Sequence, residues 1–169
     1  MIKLIGAVLI ICGCGGFGFH IAALYRKEEK MMRQLLNVLE IMELELRYHL
    51  TPLPMLARII ANSTSGVIRD VFCKFAAELD QQMVSDAGEC MRKSIHKRTD
   101  IPPLTHDSLT LLGKSLGHYD AEGQIRALTS LYKECNQKLE RHIVDKNPQL
   151  RSYQTLGVCA GAALVILFL

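Results

Sequence analysis

The sequence predicts an all-α protein, an antiparallel bundle of about six helices in the cytoplasm flanked by N- and C-terminal transmembrane helices. Met32, Leu35, Leu36, Leu39, Met42, Leu46 and Leu50 recur at steps of three and four, which makes one buried stripe on a long helix. Both ends of the chain are apolar, and no stretch between them reads as a convincing strand. These observations divide the chain into an N-terminal membrane helix over 1–25, a cytoplasmic helical domain over 26–151 and a C-terminal membrane helix over 152–169.

From Leu4 to Leu24 the chain is apolar except for His20, and about 20 apolar residues cross a bilayer. A cleaved signal peptide with Ala22 and Ala23, or a lipoprotein signal using Cys14, fits less well, because the run is long for a signal core and continues past Cys14. His20, near the end of the run, reads as an interfacial residue. The first bundle helix continues from this segment to Leu50. Ile41, Leu44 and Tyr48 fall on a second side, which predicts that neighbours cover more than one face. Glu43 projects from the middle of the first stripe and must be paired, hydrogen-bonded or kept for a partner, because an unpaired buried charge costs several kcal/mol. Thr51 reads as an N-cap with Pro52 as the first helical residue.

The second helix, Pro52 to Asn62, carries Leu53, Leu56, Ile59 and Ile60, and Ser63 to Gly66 is a connection. A third covers Val67 to Gln82, with Ile68, Val71, Phe72, Phe75 and Leu79 on one face. The fourth starts after Ser85 as N-cap and ends around Lys97. Its tail holds Arg92, Lys93, His96, Lys97 and Arg98, either a basic patch for anionic lipid or an acidic partner, or cations gathered where the helix dipole favours them; the second reading is the stronger. Pro102 and Pro103 then break the chain.

The fifth helix runs from Thr105 to Leu116, Gly117 suits the left-handed terminator, and Asp120 caps the next helix. In the sixth, Ile125, Leu128, Tyr132, Cys135, Leu139 and His142 form a coiled-coil-like seam that ends near Asn147 and Pro148. His142 reads as a packing or solvent-edge residue. Leu156 to Leu169 is short for a span, but extension through Tyr153, Gln154 and Thr155 brings it to length, and a half-inserted or hairpin anchor is the alternative. Gly157 and Gly161 form a GXXXG pair for close contact with the first span or another subunit. Arg26, Lys27, Lys30 and Arg33 on one side and Lys138, Arg141, Lys146 and Arg151 on the other place the intervening domain in the cytoplasm.

The net charge of +3 and the lack of a long single-sign block give no reason to expect nucleic acid. Of the six cysteines, Cys12, Cys14 and Cys159 lie in the apolar segments, and Cys73, Cys90 and Cys135 are an odd, widely spaced trio that reads as reduced core thiols. There is no phosphate loop, nucleophile elbow or paired Cys/His ligand set, and no cofactor is expected. Glu43 and Glu45, two apart on a helix, point to different sides and do not form an acid/base pair. Two function classes remain: a membrane-anchored scaffold, and a regulatory or signalling membrane protein that binds a small ligand in its bundle. The lack of polar clusters on inward faces favours the scaffold.

Glu43, Glu45 and Tyr48, followed by Thr51, Pro52 and Leu53, resemble a motif of the stage III sporulation protein AB family. Gly113, Leu116, Gly117, Asp120 and Gln124 are similar to a second motif of that family, and chain length and apolar ends agree. The resemblance implies a sporulation protein in the mother-cell membrane around the forespore, with the soluble domain facing the mother-cell cytoplasm. It implies a platform in a channel or secretion-like complex that couples a secretion-type ATPase, the stage III sporulation AA-like protein, to other members of that complex, with no catalysis of its own. The family is in turn distantly similar to the F domain of the type II secretion inner-membrane platform. Those platform proteins carry two bundle domains, so several copies or other subunits would be needed here. On this reading Glu43, Glu45 and Tyr48 are structural or partner residues, while Thr51, Pro52, Gly117 and Asp120 are chiefly turn and cap residues.

Overall fold

In the computed structural model the backbone is described over residues 2–81, 86–116 and 121–168, and side chains over 23–81, 86–116 and 122–145. The chain forms α1 (Ile2–Tyr48), α2 (Leu53–Ser63), α3 (Gly66–Gln81), α4 (Ala87–Ile95), α5 (Pro103–Ser115) and α6 (Ala121–Phe168), with no strand among the described residues. Two compact units result, one of Met1–Glu29 with Glu140–Leu169, the other of Lys30–Leu139.

In the first unit the middle of α1 meets the middle of α6. The Tyr25 and His142 rings lie 5.9 Å apart and tilted. His142 Nε2 is 3.4 Å from Glu28 Oε2, close enough for an ion pair when the ring is protonated but not aligned as a hydrogen bond. His142 is therefore a packing residue between two helices. The predicted spans, with Gly157 and Gly161, lie almost wholly outside the residues whose side chains are described. Among the described residues no helix is long and apolar enough to cross a membrane. Helix α6 does not end at Asn147 and Pro148 as expected but continues to Phe168. Proline forfeits one rung of the ladder, which a long helix on either side tolerates.

The second unit contains the core. Its centre is the predicted stripe of α1: Met32, Leu35, Leu36, Leu39, Met42 and Leu46 are all buried, joined by Met31 and Val38. Helix α2 packs on α3, α3 on α4 and α4 on α5. From α3, Ile68, Val71, Phe72, Phe75 and Leu79 point inward as their spacing requires, and the Phe72 and Phe75 rings meet edge to face. Each such phenylalanine contributes about 1.5–3 kcal/mol by burial. Helix α6 adds Leu128, Leu131, Cys135 and Leu139. The Tyr132 hydroxyl bonds Glu40 of α1, which pushes that phenol up, and burial does the same for the Cys135 thiol.

The ends of the helices differ from the sequence expectations in ways that have local causes. Helix α2 starts at Leu53 with Pro52 at the cap position, and Thr51 does not cap it. Helix α4 is capped by Asp86, whose Oδ1 accepts from the Gly88 N–H at 2.9 Å; the expected cap, Ser85, lies outside the described residues. It ends at Ile95, before Lys97, because His96 leaves helical geometry at ψ 135°, and Lys97 then turns into the left-handed region at φ 59°. Helix α5 starts two residues early, at Pro103, since a proline suits the first turn where its missing N–H has no partner to lose. Inside the bundle the hydroxyls of Ser94 and Ser108 bond carbonyls one turn back, those of Cys90 and Leu104. Thr105 Oγ1 is buried without a hydrogen-bond partner.

Candidate functional site

The first motif occupies the corner where α1 hands over to α2. Its acids are held within the chain. Glu43 accepts from Arg47 at 2.6 Å, one helical turn away. Glu45 accepts from the Thr51 hydroxyl at 2.7 Å, with His49 Nδ1 3.6 Å away. Thr51, the buried member of the corner, thus uses its hydroxyl to fasten the turn back onto α1 rather than to cap α2. As a cap the hydroxyl oxygen would accept from a backbone N–H; here the hydroxyl donates to a carboxylate, a charge-assisted and therefore stronger hydrogen bond. Between these anchors Leu50 adopts φ 50°, a left-handed conformation that costs a branched residue about 1–2 kcal/mol.

The apolar residues of the corner do not go inward. Leu44 and Tyr48 were expected to be covered by a neighbour, and Leu50 to extend the buried stripe; instead they are 55%, 71% and 68% exposed. Met55, at the start of α2, is 59% exposed. The stripe fails at Leu50 because the helix has already ended at Tyr48, so the periodicity no longer sets where the side chain points. Leu44 and Tyr48 stay exposed because the described core lies along the face of Met42 and Leu46.

The second motif has a different role. Helices α4 and α5 cross so closely that a Cβ on Gly113 would stand 2.6 Å from Met91 Cβ and 3.4 Å from Gly88 Cα. Only glycine permits that approach. Leu116 is buried and its N–H donates to the Gly113 carbonyl at 3.4 Å. Gln124 lies in the first turns of α6, while Gly117 and Asp120 lie outside the described residues.

In the basic tail of α4, Arg92, Lys93 and Arg98 face neighbouring acids. Arg92 pairs with Glu89 at 2.6 Å, and that hydrogen bond lowers the Glu89 carboxyl below the usual carboxylate range. Lys93 faces Glu78 of α3 at 3.8 Å, and Arg98 binds Asp100 at 2.8 Å and faces Asp70 at 3.5 Å. Lys93 and Arg98 thus tie this end of α4 to α3, whereas Arg92 is paired within α4. No group of three or more His, Cys, Asp or Glu among the described residues is placed to hold a metal ion.

The partners Arg47 and His49 were legible in principle, since each stands four residues after an acid of the motif on a helix face. The partner of Gly113 was not legible, because Met91 is far away in sequence and only the helix crossing brings it near.

Comparison with known proteins agrees with this fold. A solved structure of stage III sporulation protein AB (SpoIIIAB) superposes with a TM-score of 0.63 at 22% identity, covering 72% of this chain and 98% of that one, and so shares the fold. The stage III sporulation protein AB of Bacillus subtilis (strain 168) is 28% identical over 175 residues, spanning 100% of both chains. The family model described as stage III sporulation protein AB matches residues 3–169, essentially the whole length, and the chain therefore belongs to the stage III sporulation protein AB family.

Proposed function

We propose that this chain is a membrane-anchored platform subunit of a mother-cell to forespore channel or secretion-like complex. Its terminal helices fix it in the mother-cell membrane around the forespore, and its bundle faces the mother-cell cytoplasm. There it couples a secretion-type ATPase, the AA-like member of the same group of proteins, to membrane components, without cofactor or catalysis of its own. The observation that carries this reading is a family match running from residue 3 to residue 169, which takes in the bundle and both apolar ends. It is supported by the apolar surface that Leu44, Tyr48, Leu50 and Met55 leave exposed at the α1–α2 corner. Assembly of several copies supplies the second bundle domain that related platforms carry in one chain.

The test is chemical crosslinking of the full-length protein in sporulating cells, followed by identification of its partners. Recovery of a secretion-type ATPase with other stage III sporulation proteins is the expected outcome. Repeated capture without any such ATPase overturns the coupling role. Glu43→Ala and Glu45→Ala sort the motif further: loss of the ATPase from a variant that still melts cooperatively makes the carboxylate a docking group, and loss of cooperative melting makes it a structural one.

A further inference from the structure

We propose that the α1–α2 corner docks a basic amphipathic helix of a partner protein. The inference deepens the platform reading and rests on it. Leu44, Tyr48, Leu50 and Met55 are large apolar side chains that the fold leaves exposed within one short stretch, and Leu50 is held there in a left-handed conformation that leucine disfavours. Leu44 and Tyr48, four apart on α1, form a ridge of the kind that packs into the groove of another helix.

Charge selects the occupant. Glu40, Leu44 and Tyr48 recur at steps of four and so share one side of α1, and Glu45 stands three residues before Tyr48. Of the carboxylates along this ridge, Glu43 is matched by Arg47. The other two bond neutral hydroxyls, Glu40 that of Tyr132 and Glu45 that of Thr51, which satisfy their oxygens without cancelling their charge. His49, 3.6 Å from Glu45, adds a positive charge only when protonated. On α2, Arg58 stands three residues after Met55 and is matched by Asp80. With His49 neutral, the carboxylates of Glu40, Glu43 and Glu45 against the one guanidinium of Arg47 leave the ridge a net charge of −2. Glu40 is exposed and 24% of the Glu45 side chain is open, so both unmatched charges can be reached from outside. A partner helix with lysine or arginine flanking its apolar face complements that pattern. Anionic lipid, or a second copy of this chain related by a two-fold axis, would set like charge against like, and both are disfavoured.

The test places p-benzoyl-phenylalanine at position 48 of the full-length protein in sporulating cells, with the same group at exposed Lys114 on α5 as control. After irradiation the crosslinked peptide is sequenced by mass spectrometry. The expected product is a peptide of another protein with lysine or arginine spaced around an apolar helical face, obtained from position 48 and not from 114. Its yield falls about ten-fold when Glu40→Gln and Glu45→Gln are combined, since the amide oxygens keep the bonds to Tyr132 and Thr51 while both charges are lost. Arg47→Gln acts the other way and raises the yield, because it uncovers the charge of Glu43. Circular dichroism shows these variants folded; should one fail to fold, the wild type in isolated membranes decides, its yield falling as salt is raised. A crosslink to a second copy, to lipid or to a segment without basic residues overturns the proposal, as does no crosslink at all or a yield indifferent to charge and salt. Lysine-directed crosslinking of the same cells tests the platform reading separately. If the ATPase complex is recovered without a basic adduct at position 48, this surface fails and the platform stands. If the basic adduct forms and no secretion-type ATPase is ever recovered, the surface stands and the platform fails.

Discussion

The two family motifs sit in contrasting places. The crossing of α4 and α5 at Gly113 is buried and made by the absence of a side chain. The corner between α1 and α2 is open, made by side chains that bind one another, and leaves Leu44, Tyr48, Leu50 and Met55 exposed. A recognisable motif thus marks either a packing constraint or a surface, and residue type alone does not say which. Gly113 is constrained because a neighbour leaves no room, whereas Tyr48 makes no such demand on the described fold.

The sharpest way to break this contrast is Gly113→Ala. The new methyl group meets Met91 Cβ, which cannot rotate away, so the variant loses about 2–3 kcal/mol by overpacking. Thermal melting of the full-length protein in detergent reads the loss. A double-mutant cycle sharpens it: Gly113→Ala costs less in a Met91→Gly background than in Met91→Ala, since only the former removes the clashing atom. Equal costs in the two backgrounds would show that the crossing is looser than the geometry says.

Smaller effects follow at single hydroxyls. Thr51→Val removes the donor to Glu45 and destabilises by about 1–2 kcal/mol, as expected for a hydrogen bond to a charged acceptor at a partly buried site. Thr105→Val acts in the opposite direction: its Oγ1 is buried without a partner, so the variant gains about 1 kcal/mol. Denaturant midpoints of the two variants should therefore move apart.

At the open corner the expected effects on stability are slight. Leu50→Gly relieves the left-handed strain at the cost of a more flexible unfolded chain, leaving stability unchanged or raised by up to about 1 kcal/mol. Tyr48→Ser changes stability by no more than about 0.5 kcal/mol, because the side chain is 71% exposed. A large loss in that last variant would mean that Tyr48 serves the fold, and the distinction between the two motifs would collapse.

Much of the architecture was legible in the chain. The inward faces of α1 and α3 follow from their spacing, because a helix places residues three and four apart on one side. The six helices follow from the same periodicity with proline and glycine between them, their ends only to within a few residues for α2 to α5. Helix ends were least legible where a side chain had two possible uses. Thr51 could accept from an N–H as the cap of α2 or donate to Glu45, and the charge-assisted bond to the carboxylate is the one formed. Pro148 could stop α6 or be absorbed by it, and the continuity of the flanking helix prevailed.

The sequence by itself determined that this is an all-helical chain with a central stripe, and which family it belongs to, since periodicity and motif spacing are local properties written along the backbone. Only the tertiary structure decided which apolar residues the core takes up and which glycine the packing requires. Those depend on what stands opposite a residue, and Met91 against Gly113, Glu78 against Lys93 and the open face at Leu44 and Tyr48 are set by how helices cross rather than by how any one of them repeats.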